Sequence, residues 1–158
     1  MADPHCVFSR TDEYKVNIEV LDQQHRELFD VVNELEQALR VGEGNAVTDR
    51  ILDRLVTYAG LHFAAEESLM KRYDFPALAT HQIQHDLFRS KILGLLERYR
   101  AAKPGVAVEL LFFLQTWLKT HMLKTDKQYS AFLNARGVRD SRCSQPMFAP
   151  WDERPLSF

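Results

Sequence analysis

Apolar side chains between residues 16 and 136 recur at alternating steps of three and four, the spacing that lines one face of an α-helix. The first run reads Leu21, His25, Leu28, Val32, Leu35, Leu39, and the second Leu52, Leu55, Ala59, His62, Glu66, Leu69, Tyr73. The third reads Leu78, His81, His85, Phe88, Ile92, Leu95, Tyr99, and the fourth Ala107, Leu110, Leu114, Trp117, His121. Three punctuation points separate the runs: Gly42-Glu43-Gly44-Asn45, Asp74-Phe75-Pro76 and Lys103-Pro104-Gly105. No proline interrupts a run, and no run alternates with the period of two expected of a strand. Long helices with short connections make antiparallel neighbours, so the pattern predicts an all-α, up-down-up-down four-helix bundle.

The polar positions on these inward faces carry the chemistry. Apart from Tyr73 and Tyr99, near helix ends, each is a histidine or a glutamate, and five of the six histidines in the chain are among them. Any single inward histidine is ordinarily a satisfied core residue. Burying five imidazoles and a glutamate without partners would cost about 1–3 kcal/mol for each neutral group and more for the charged one. That sum is large against a net stability of about 5–15 kcal/mol. Paired dications offset it by turning the nitrogens and oxygens into ligands. His62 and Glu66 are four apart, as are His81 and His85, so each pair shares a helix face. His25 and His121 complete a ring drawn from all four helices.

Asp126 is the seventh candidate ligand, but five residues past His121 an ideal helix turns it about 140° off the face. Reaching the same metals requires the fourth helix to end, loosen or bulge between the two. The alternative for Asp126 is an N-cap of the stretch that follows, and both can hold. Glu67, next to Glu66, is expected to face solvent or to support a ligand from behind.

At 158 residues the chain suits one domain, and its 46% hydrophobic and 27% charged content is that of a soluble globular protein. The net charge of -2 provides no general field for nucleic acid or an anionic membrane. No apolar run approaches the roughly 20 residues needed to span a bilayer. Residues 1–15 are expected to form an N-terminal arm carrying the leftover His5, residues 16–136 the bundle, and residues 137–158 a C-terminal tail. The tail, with Phe148, Trp151 and Phe158 among Pro146, Pro150 and Pro155, reads either as an arm packed on the bundle or as a docking segment for a protein partner. Cys6 and Cys143 are expected to be free thiols in a reducing cytoplasm, with a bridge between the ends as the alternative.

Three blocks together, "VLDQQHRELFDVVNEL", "HFAAEESLMKRYDFPALATHQIQHDLF" and "WLKTHMLKTDKQYSAFL", resemble the hemerythrin family in its bacterial branch, over about residues 16–133. The resemblance implies two iron ions: one on His81, His85 and His121, the other on His25 and His62 with a coordination position left open. Glu66 and Asp126 would bridge the irons together with an oxo or hydroxo group, and dioxygen would bind reversibly at the open iron. Leu28, Phe63, Trp117, Leu118 and Met122 are the candidate oxygen-pocket residues, with plain core packing as the competing role for each. Met122 departs from the aliphatic residue more usual in the family, and its thioether is oxidisable. The function implied is an oxygen carrier, store or sensor and not an enzyme. The alternatives are an oxygen- or redox-responsive signalling module and an oxidoreductase consuming peroxide or nitric oxide. Carboxylate-rich oxygen-activating bundles use Glu-x-x-His pairs, and no inward histidine here has a glutamate three residues before it.

Overall fold

The computed structural model describes residues 12–139. His5, Cys6, Cys143 and the aromatic and proline residues of the tail from Phe148 to Phe158 lie outside them, as does Pro146. Four long segments form as the pattern predicts: α1 (Glu19–Arg40), α2 (Gly44–Arg72), α3 (Leu78–Arg100) and a fourth that is composite. This fourth helix runs as α4 (Val106–Trp117), continues through a π-helical stretch (Leu118–Thr125), and resumes as α5 (Asp126–Asn134). The protein is an all-α four-helix bundle, and among the described residues there is no strand. Nor is any described helix long and apolar enough to cross a membrane.

The connections follow from local chemistry. Gly42 takes φ 79° after α1, a left-handed conformation that costs glycine little. Tyr99, inward near the end of α3, donates its hydroxyl to the Asn45 carbonyl at 2.7 Å and ties that end to the start of α2. The buried faces match the expected seams apart from drift near helix ends, as in α1, where Ala38 is buried and Leu39 half-buried. Toward the end of α2 it is Met70, fully buried, that points inward, while Leu69 is half-buried.

Two apolar clusters sit at opposite ends of the bundle's interior. The larger takes in Leu35, Leu55, Phe63, Phe88, Leu110 and Leu114. The smaller gathers Val16, Ile18, Leu21, Met70, Phe75, Tyr129, Leu133 and Val138, so both chain ends of the bundle help to close it. The short 3₁₀ turn Asp12–Tyr14 packs Tyr14 edge-on against Phe29, with ring centroids 5.0 Å apart. At the other end Glu19 donates its N–H to the Arg139 carbonyl at 3.1 Å. Residues on both sides of the expected bundle boundaries therefore pack on it.

The strap before α1 is held by Asp22, whose Oδ1 accepts the buried Val16 N–H at 2.7 Å, and by Asn134, which donates to the Val16 carbonyl at 2.8 Å. Asp22→Ala orphans that N–H and should cost about 2 kcal/mol, the scale of a hydrogen bond to a charged group. The check is the urea midpoint together with amide exchange at Val16, and an unchanged midpoint would refute the assignment.

Candidate metal centre

The five inward histidines and two carboxylates converge where the two clusters meet, and each is at least nine-tenths buried. Their donor atoms fall into two groups, each compact enough to hold a metal ion: Glu66, His81, His85 and His121, and His25, His62 and Glu66. Glu66 belongs to both. Its Oε1 lies 3.2 Å from His62 Nε2 and 3.7 Å from His25 Nε2, while its Oε2 lies 3.1 Å from His85 Nε2 and 3.3 Å from His81 Nε2. Two donors about 2.1 Å from one ion at right angles lie about 3 Å apart, so these spacings suit neighbouring ligands on a common cation.

The π-helical stretch brings Asp126 to the same place. Asp126 donates its backbone N–H to the His121 carbonyl, a five-residue step that returns the chain to the same face after five residues instead of about four. Its Oδ1 then lies 3.1 Å from His121 Nε2 and 3.6 Å from His81 Nε2, and its Oδ2 lies 3.7 Å from His25 Nε2. The capping alternative fails, because α5 has no side-chain cap and Asp126 itself has helical φ and ψ.

Protein groups alone leave this cluster poorly satisfied. Both ring nitrogens of His25 and His121, Nε2 of His85 and both oxygens of Asp126 are buried without a hydrogen-bond partner. Electrostatics tells the same story. Burial pushes Glu66 up, but His62, His25 and His81 overcome it and hold the carboxyl well below its usual range. Asp126 is pushed well above that range by burial and by the charge of Glu66. Without cations, two buried carboxylates side by side cannot both ionise, and Glu66 keeps the charge. Burial lowers His81, but its hydrogen bond to Glu66 and the neighbouring carboxylates raise it further than burial lowers it. The donor set therefore fits a pair of cations, whose charge would let both carboxylates ionise.

Residues beyond the seven donors hold these rings in place. Gln24 Oε1 meets His62 Nδ1 at 2.7 Å, and Glu67 Oε1 meets His85 Nδ1 at 2.7 Å, so each Nε2 is turned to the centre. Glu67 thus stands behind a histidine. Tyr129 donates its hydroxyl to Glu66 Oε1 at 2.6 Å. Tyr58 stacks on His62 at 4.8 Å, Phe63 on His85 at 3.7 Å and Trp117 on His121 at 4.1 Å. Leu28, Leu118 and Met122 are buried in the same apolar cluster as Phe63 and Trp117.

The profile described as the hemerythrin HHE cation binding domain matches residues 16–133. The chain belongs to the hemerythrin family. Bacteriohemerythrin of Methylococcus capsulatus is 30% identical over 123 residues, covering 78% of this chain and 93% of that protein. Bacteriohemerythrin of Clostridium acetobutylicum is 30% identical over 127 residues, covering 78% and 98%. A solved structure of wild-type hemerythrin superposes with a TM-score of 0.71 at 28% identity, covering 79% of this chain and 96% of that one. The hemerythrin assignment covers the residues that build the cluster, from the strap at Val16 to Leu133 in α5.

One consequence is measurable in metal-free protein. Burial, reinforced by His81 and His25, depresses His121 from 6.5 to about 3 while Glu66 opposes the shift. The unfolded chain therefore takes up this proton first, so the contribution of His121 to stability is present above pH 6.5 and is lost as pH falls toward 3. Ring-proton or ring-nitrogen NMR should show His121 neutral at pH 5, and titration near 6.5 would contradict the burial argument.

Proposed function

We propose that this chain binds dioxygen reversibly at a di-iron centre held by His25, His62, Glu66, His81, His85, His121 and Asp126, as an oxygen carrier, store or sensor and not as an enzyme. The observation that carries the reading is the asymmetric sharing of Glu66: three imidazoles stand around one of its oxygens or beside that group, and two around the other. The group with two histidines has one protein donor fewer, which leaves room for an exogenous ligand there. Held by these residues, an iron pair would supply the reversible redox chemistry that dioxygen binding needs.

The residues of the chain do the rest. Glu66 and Asp126 lie between the two groups of imidazoles and are placed to bridge them. Gln24 and Glu67 fix the rings of His62 and His85, which makes Nε2 the ligating atom in each. Leu28, Phe63, Trp117, Leu118 and Met122, all buried, keep bulk water from the neighbourhood of the ligand. Five imidazoles against two carboxylates donate less charge than a carboxylate-rich set, which favours release of dioxygen over its activation.

Metal analysis with absorption spectra recorded anaerobically, in air and after removal of dioxygen tests this. Two irons per chain with a spectral change that reverses are expected. Steady consumption of dioxygen in the presence of a reductant, or a spectrum indifferent to dioxygen, would overturn it.

A further inference from the structure

The imidazoles on either side of Glu66 are supported by groups of different charge. His62, in the two-histidine group, meets the neutral side-chain carbonyl of Gln24 at Nδ1, 2.7 Å away. His85, in the three-histidine group, meets the carboxylate of Glu67 at the same 2.7 Å. A carboxylate on the far nitrogen draws the Nδ1 proton toward itself and raises the negative charge that Nε2 offers a cation. Left alone, Glu67 would make His85 a stronger donor than His62.

Glu67 is not left alone. The Arg89 guanidinium, one turn beyond His85 on α3, stands 3.6 Å from the same Oε1 that meets His85. Among the described residues it is the cation paired with Glu67, while Gln82 donates to the other oxygen at 3.0 Å. Arg89 is itself steered by Asp86, whose Oδ1 accepts from Nη1 at 2.8 Å, and it lies over the Phe63 ring at 5.1 Å. Phe63 is the ring that stacks on His85. One guanidinium therefore stands against both supports of one imidazole. The side chains of Arg89 and Glu67 are 34% and 19% exposed, so their attraction is screened less than that of an open surface pair. The contacts run from solvent to His85, which has no exposed surface.

We propose that Arg89 is a positioning residue for the metal centre: through Glu67 it holds down the negative charge that His85 passes to a bound cation. On the di-iron reading, on which this rests, less charge from His85 favours the reduced form of the iron pair. Because the relay ends at the protein surface, a charge brought to Arg89 from outside adjusts the donor strength of a buried ligand.

Opposite substitutions separate charge from packing. In Arg89→Gln the Glu67 carboxylate loses its counter-charge; in Glu67→Gln an acceptor stays but its charge is gone. The midpoint potential of the iron-loaded protein should fall in the first and rise in the second. Each shift should be at least threefold in the one-electron equilibrium, about 28 mV at 59 mV per tenfold change. Arg89→Lys, which keeps the charge, should stay near the parent. Mere loosening of the site would speed metal loss in both Gln variants without placing their potentials on opposite sides of the parent. In metal-free protein the His85 Nδ1–H proton resonance should move downfield in Arg89→Gln and upfield in Glu67→Gln, since a more charged acceptor makes the stronger hydrogen bond. Potentials that shift together or not at all, or a resonance indifferent to both changes, would overturn the proposal. A chain that takes up no iron but moves that resonance as stated would sink the di-iron reading alone. Two irons with reversible dioxygen binding, but potentials that do not part in sign, would sink this inference alone.

Discussion

Glu66→Gln is expected to abolish tight metal binding while leaving the bundle folded. The substitution keeps the shape of the side chain and so the packing around a fully buried position. What it changes is the charge and one acceptor oxygen at the point where the two groups of imidazoles meet. His62, His81 and His85 all stand within 3.3 Å of a Glu66 oxygen, and an amide nitrogen there presents hydrogens to whatever sits between them. Loss of a supporting partner alone costs a metal site about 10–100-fold in affinity, and loss of a bridging donor should cost more than the upper end of that range. The measurement is iron retained per chain after dialysis against a chelator, with far-ultraviolet circular dichroism to confirm the fold. A Glu66→Gln protein that kept two irons would show that the centre is built on other residues.

Most of the buried polar cluster is legible in the sequence, because polar residues on an apolar seam are anomalies that the helical period exposes. Stepping by three and four put His25, His62, Glu66, His81, His85 and His121 on inward faces, and all six are buried together. Asp126 fell off the period. Its five-residue offset implied a departure from α-helical geometry, and the π-helical stretch Leu118–Thr125 is that departure.

Residues that act across helices were not legible in the same way. Gln24 sits one position before His25 and off the seam, so only the rotation of α1 against α2 brings it to His62. Tyr129 follows Asp126 by three residues in α5, a spacing that puts both on one helix face and the Tyr129 hydroxyl on Glu66. The drift from Leu69 to Met70 has a simple source. A seam stepped at 3.5 residues loses about 20° per heptad against a real helix, and over the length of α2 that amounts to about one position.

The second large effect should come from Phe63, which supports a histidine of the cluster as well as packing the core. Its ring lies flat against His85, 3.7 Å between centroids and 6° between planes, and meets Phe88 edge-on at 5.4 Å. Trp117 and His121 stand slightly farther off, at 6.3 and 6.4 Å, and the Arg89 guanidinium lies over the ring at 5.1 Å. Phe63→Ala therefore removes both a large apolar core side chain and the surface that keeps the His85 imidazole upright. The first loss should cost about 3–5 kcal/mol, enough to lower the melting midpoint on the order of 10 °C in a chain of this size. The second should show as faster loss of metal to a chelator. Phe63→Leu separates the two, because leucine refills most of the volume but cannot stack on the ring, a contact worth about 0.5–1.5 kcal/mol. Stability should recover largely in Phe63→Leu while metal release stays faster than in the parent. If leucine restores both, Phe63 acts through volume alone; if Phe63→Ala melts with the parent, the site is not packed as described.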